Sequence, residues 1–163
     1  MELKKKILSI LEKDAKLSSD EIAVMLNLEK SKVAEAIEEM ENEKIIFGTK
    51  TLINWDKVED GKVTAYIELN VTPEQGLGFE KVAEDIIREF PQVSSVSLMS
   101  GGFDILVELE GYSMKDVALF VAEKIAPMPN VISTKTHFVL RRYKHGGVVL
   151  NKEEIDERRV ISF

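Results

Sequence analysis

Hydrophobic positions along the chain follow two rhythms, and the change from one to the other falls near residue 60. Leu3, Ile7, Leu8 and Leu11 recur at three- and four-residue spacing, which predicts a first helix with one apolar stripe. Ser18 followed by Glu21, ahead of Ile22, Met25 and Leu26, has the form of a capping box that opens a second helix. Asn27 tolerates left-handed backbone and ends that helix after two turns. A third helix is expected from about Lys30 to Glu43, with Val33, Ile37 and Met40 inward. The connection between the last two helices is then about three residues, the spacing of a helix-turn-helix. The β-rich run from Ile45 to Ile53, with Gly48 where a turn could sit, predicts a wing. Residues 1–54 therefore read as a winged helix-turn-helix, and 55–61 as a linker without periodicity.

From Lys62 the period becomes two. Val63, Ala65, Ile67, Leu69 and Val71 alternate with polar residues, the pattern of a half-buried strand. Thr72–Gly76 is a loop, and Phe79, Val82, Ala83, Ile86, Ile87 and Phe90 form a helical stripe. Val93–Met99 reads as a strand, Ser100-Gly101-Gly102 as a tight turn, and Phe103, Ile105, Val107 and Leu109 as the next strand. Met114, Val117, Ala118, Val121 and Ile125 mark a second helix, and a last strand is expected from about Val131 to Arg141.

The two halves of this region look like copies. Pro91-Gln92-Val93-Ser94-Ser95 parallels Pro129-Asn130-Val131-Ile132-Ser133, with proline ending the connection and a β-branched strand following. Two βαβ units in series make a four-stranded antiparallel sheet with two helices on one face. The fold class is thus α+β, a winged helix-turn-helix followed by a ferredoxin-like βαββαβ domain over 62–145 and a tail over 146–163. In that tail Gly146-Gly147 would free the chain, Val148-Val149-Leu150 could add a strand, and Lys152–Arg159 is charged. A sheet of this size leaves one face and its edges open, and a second copy of the chain is the simplest cover, so a homodimer is expected.

Composition narrows the function classes. The absence of cysteine excludes disulfides and thiolate metal sites. No apolar run approaches the ~20 residues of a membrane span, and the polar opening is unlike a signal peptide, so a cytoplasmic protein is expected. The net charge of −7 argues against indiscriminate affinity for polyphosphates. Residues 1–60 carry 10 Lys/Arg against 14 Asp/Glu, a balance of −4, so the head is not basic overall. No nucleophile–base pair, metal cluster or phosphate loop stands out, and two isolated histidines, His137 and His145, do not make a metal site. Neither enzyme activity nor a cofactor is expected.

With this layout in place, the chain resembles the Lrp/AsnC (feast/famine) family of transcriptional regulators over residues 3 to about 145. The stretches that carry the resemblance are LKKKILSILEKDAKLSSDEIAVMLNLEKSKVAEAIEEMENEKII in the head, and VSSVSLMSGGFDILVELEG and VISTKTHFVLRRYK in the second domain. The resemblance implies dimers paired through their sheets and assembled into octamers, double-stranded DNA as one partner, and an amino acid or related metabolite as effector. It places DNA-reading positions at Ser31, Lys32, Glu35, Ala36 and Glu39, and the charges of Lys30 at the helix start and Lys50 in the expected wing add them as candidate DNA contacts. It places effector contacts at Met99, Ser100, Gly101, Gly102, Phe103 and Asp104, with Thr134 and Thr136. Family members commonly carry arginines on the third helix, where this chain presents Glu35, Glu38, Glu39 and Glu41, and often an acid at the position of Gly102.

Each feature also has a plainer reading. The three helices could be a scaffold that touches only protein, leaving a sensor or assembly subunit without DNA binding. Asp104 could orient a ligand's ammonium group or cap its own turn. His137 could be solvated or part of an interface. Arg141-Arg142-Tyr143-Lys144 reads as an edge charged against aggregation. If DNA is bound, Lys30, Lys32, Lys44 and Lys50, with Lys4, Lys5 and Lys6, should supply the phosphate contacts. One branch resembling the family decarboxylates sirohaem, an alternative supported by fold alone.

Overall fold

The computed structural model describes residues 1–58, 61–73, 75, 78–111 and 113–150. The charged segment expected at Lys152–Arg159 lies outside the described residues. The chain divides into two compact units, Met1–Thr51 and the residues from Leu52 onward.

The first unit holds α1 (Glu2–Leu11), α2 (Ser19–Leu26) and α3 (Lys30–Asn42). Ser18 accepts from the Glu21 amide and the Glu21 carboxylate accepts from the Ser18 amide, so the capping box is complete. These bonds to Ser18 hold the Glu21 carboxyl below its ordinary value. Asn27 takes the left-handed conformation (φ 53°, ψ 51°), and the Leu28 amide closes the end of α2 on the Ala23 carbonyl at 2.9 Å. Ile7, Ile22, Ala23, Val33, Ala36 and Met40 form the buried core, with Leu3, Leu8, Leu11, Ile37 and Ile46 packed against it.

The expected wing does not form strands. No strand occurs in 45–53; beyond α3, Lys44 turns left-handed (φ 58°) and Gly48 sits at φ 149°, so the extended path is broken twice and no second strand lies beside it. Ile46 reaches the head core, while Phe47 is 88% exposed. β-propensity alone does not make a ladder when the backbone donors and acceptors find no partner.

In the second unit the elements are β1 (Val63–Val71), α4 (Glu80–Glu89), β2 (Val93–Leu98), β3 (Ile105–Gly111), α5 (Met114–Phe120) and β4 (Val131–Phe138). The sheet order is β2-β3-β1-β4 with every neighbour antiparallel, the ferredoxin-like order that two βαβ units predict. β2 and β4 each begin two residues after their proline, as the repeat requires. Ala65, Ile67, Leu69 and Val71 of β1 and Ile105, Val107 and Leu109 of β3 face Val82 and Ile86 of α4, Phe90 just beyond its end, and Val117 of α5. The second helix continues past Phe120 as a wider π-type turn, Val121–Ile125, in which the Ala126 amide bonds to the Val121 carbonyl.

Three expected boundaries move. β4 stops at Phe138, not Arg141, because β1 begins at Val63: the Val139 amide makes one bond to Thr64, and beyond it the partner strand has run out. Gly146-Gly147 does not free the chain. Both glycines have positive φ (52° and 79°) and turn a short hairpin of β5 (Lys144–His145) and β6 (Val148–Val149). A Cβ at Gly146 would stand 2.9 Å from Leu52 Cδ1, so the turn packs closely as well. Finally, the β2–β3 connection runs from Met99 to Asp104, longer than the tight turn expected, and only Gly101 of its two glycines has positive φ (150°).

Candidate DNA-reading helix and effector loop

α3 has two sides. Val33, Ala36 and Met40 are buried, and Ser31, Lys32, Glu35, Glu38 and Glu39 are exposed. Ala36, expected to contact DNA, is 8% exposed and belongs to the core; a side chain packed between helices cannot meet a base edge. Lys50 is exposed in the extended segment that follows the helices.

The lysines are not equally available. Lys30 pairs with Asp20 at 2.8 Å. Lys4, expected at phosphate, instead bridges α1 to α3, with Nζ 3.2 Å from Glu39 and 3.0 Å from Glu43. The two carboxylates, Glu43 foremost, hold the Lys4 ammonium above its ordinary value. Lys6 pairs with Glu2 one turn away. Lys32 makes no ion pair among the described residues and remains exposed at the start of α3. Helical spacing shows that Glu39 and Glu43 share a face, but not that Lys4 of α1 lies against it, which needs the packing of the two helices.

In the sheet domain, Asp104 latches the β2–β3 loop onto the end of β1. Its carboxylate accepts from the Val71 amide at 2.9 Å, its own amide donates to the Leu69 carbonyl at 2.9 Å, and its carbonyl accepts from Met99 at 2.8 Å. Val71 needs this acceptor because its amide points to the β3 side, where β3 starts only at Ile105 opposite Leu69 and offers no ladder carbonyl. On the other side of β1 the register shifts, with Ile132 of β4 as the extra residue. The capping role of Asp104 thus serves a neighbouring strand, not its own turn. Met99, Ser100, Gly101 and Gly102 are exposed, and Phe103 and Asp104 half-buried. Thr134 and Thr136 lie opposite Leu69 and Ile67, on the helix side of the sheet. β4 is two strands from β3, about 10 Å at ordinary strand spacing, so these threonines do not line the loop within one chain.

Among the described residues no helix covers the other face of the sheet, which is largely polar and carries several ion pairs. Glu68 meets His137 at 3.0 Å and Lys135 at 3.9 Å. Arg142, expected as an edge charge, folds over this face to Glu108 at 3.3 Å and also contacts His145. Burial, with Glu108 beside it, pushes the Tyr66 phenol above its ordinary value and keeps it protonated.

A three-helix head of helix-turn-helix form followed by a βαββαβ sheet domain is the domain pairing of a ligand-responsive transcriptional regulator. Residues 2–46 match the family model described as winged helix-turn-helix DNA-binding, and residues 64–149 match that of the Lrp/AsnC ligand binding domain. YugG of Bacillus subtilis, an uncharacterised HTH-type transcriptional regulator, is 43% identical over 157 residues, 96% of this chain and 94% of its own. The proline dehydrogenase transcriptional activator of Rhodobacter capsulatus is 25% identical, covering 83% of this chain and 87% of its own. Among solved structures, a transcriptional regulator of Neisseria meningitidis in complex with L-Met shares the fold at a TM-score of 0.69 and 22% identity, over 89% of this chain and 92% of its own. The chain belongs to the Lrp/AsnC family: it is a transcriptional regulator with a helix-turn-helix DNA-binding domain and an Lrp-type ligand-binding domain, and its relatives are regulators, not enzymes. Among the described residues no helix is long and apolar enough to cross a membrane.

Proposed function

We propose that this regulator binds double-stranded DNA sequence-specifically through the exposed strip of α3, and that its assembly responds to an amino acid or a related small metabolite. The observation that carries the reading is the two-sidedness of α3, which buries Val33, Ala36 and Met40 and presents Ser31, Lys32 and Glu35 outward. Lys30 and Lys50 would add phosphate contacts. The effector would sit at the loop Met99–Asp104, where exposed backbone around Gly101 and the Asp104 carboxylate suit an ammonium-bearing ligand. Because Thr134 and Thr136 stand apart from this loop in one chain, the site would be completed by another copy. The helix-free sheet face supports a homodimer, and the family resemblance supports an octamer of four dimers.

A thermal-shift screen over the twenty amino acids tests the effector. One of them, at 100 times its dissociation constant, should stabilise the sheet domain by about 2.7 kcal/mol. An unchanged melting point with all twenty would contradict an amino-acid effector.

A second reading is favoured by one observation. Glu35, Glu38, Glu39, Glu41 and Glu43 are all exposed along α3 and its end, which suits a sensor or assembly subunit that does not bind DNA.

A further inference from the structure

The carboxylates of α3 are not equivalent, and their placement selects one of them for base recognition. Recognition helices read base edges with their first turns, and Glu35 is the first acidic side chain of α3. At 3.6 residues per turn, Glu35 lies about 40° around the helix from Ser31. That is near the centre of the strip opposite the buried Val33 and Met40. Glu39 lies about 80° from Ser31, towards the flank that meets α1. There it shares the Lys4 ammonium with Glu43, at 3.2 Å and 3.0 Å. Glu35, by contrast, is exposed, and its carboxylate makes no ion pair or hydrogen bond among the described residues.

A carboxylate in the major groove has one base partner that suits it, because it can only accept. Cytosine presents the N4 amino group as donor, while guanine presents two acceptors that would repel it. Lys32, three residues before Glu35 and also without an ion pair among the described residues, can hold a phosphate beside the groove and offset the repulsion that a lone carboxylate would meet there.

We propose that Glu35 reads a cytosine, and that Glu39 does not read a base but is held aside by Lys4. This rests on the DNA-binding reading of the head, which the same experiment tests separately. Full-length protein would be used to select from a pool of random-sequence duplexes at about 50 mM salt, and the bound fraction sequenced. The wild type should prefer cytosine at one position of the enriched motif by roughly tenfold. Glu35→Ala should flatten that position alone. Glu35→Gln should move it towards adenine, the base whose donor and acceptor a glutamine matches. Glu39→Gln should leave the motif unchanged. An identical motif from wild type and Glu35→Ala would overturn the proposal while leaving the regulator reading in place. A motif altered by Glu39→Gln and not by Glu35→Ala would assign the reading to the wrong carboxylate. No enrichment by the wild type would overturn the proposal together with the DNA-binding reading. Glu35 is exposed in mid-helix, so alanine there keeps the fold, and an unchanged helical circular-dichroism signal verifies it.

Discussion

Ile22→Ala is expected to unfold the head and leave the sheet domain folded. Ile22 is fully buried on α2, in a core of six buried residues that also includes Ile7, Val33 and Met40. Truncating a buried isoleucine costs about 2–5 kcal/mol, through lost burial and the cavity left behind. A unit of this size has roughly 3–8 kcal/mol of stability in total, so one such loss removes much or all of it. The second unit has its own core around Ile67, Leu69, Ile86 and Val107, and no buried residue is common to the two. Limited proteolysis of the variant should therefore degrade residues 1–51 and leave a resistant fragment beginning near Leu52. Calorimetry should show the head's transition lost and the sheet domain's retained. A single transition, shifted as a whole and without a resistant fragment, would show that the halves unfold as one.

Asp104→Ala should loosen the loop between β2 and β3, and Asp104→Asn should separate its latch from the proposed effector contact. The Asp104 carboxylate is the acceptor for the Val71 amide, which lies past the end of the β1–β3 ladder at Leu69 and Ile105. Alanine leaves that part-buried donor without its partner, at a cost of about 1–3 kcal/mol. Asparagine keeps an acceptor oxygen but not the charge. If the charge also holds an effector's ammonium group, Asp104→Asn should melt close to the wild type yet lose the ligand-dependent thermal shift, while Asp104→Ala loses both. A full ligand response in Asp104→Asn would confine Asp104 to the latch.

How far the sequence could be read depended on whether a feature was local. Ser18, Glu21 and Asn27 form their bonds within a few residues, and the caps of α2 followed from spacing alone. The alternation in β1 and the proline-led repeat before β2 and β4 were equally local, and they implied the antiparallel βαββαβ order. What escaped depended on distant partners. The β-rich run after α3 lacks a neighbouring strand, and the end of β4 is set by where β1 starts. Ala36 shares the spacing of the family's DNA-contacting positions, yet the packing of α3 turns it inward. Lys4 looked like one of three free lysines near the start of the chain, until α1 laid it against Glu39 and Glu43. Asp104 falls in the loop before β3, where the alternation begins the strand at Phe103, and its carboxylate bonds to an amide 33 residues away in sequence.

The central claim is that the acidic head still engages DNA, and a salt titration tests it most directly. Purified full-length protein would be titrated against duplex DNA from upstream of its own coding sequence, at salt concentrations from about 50 mM upwards. With about five phosphates contacted by Lys30, Lys32, Lys50 and neighbouring lysines from several heads, binding should be plain at ~50 mM. The logarithm of the binding constant should then fall against the logarithm of salt with a slope of about −4 to −5. No binding at ~50 mM salt would contradict the account and leave a sensor or assembly subunit that does not touch DNA.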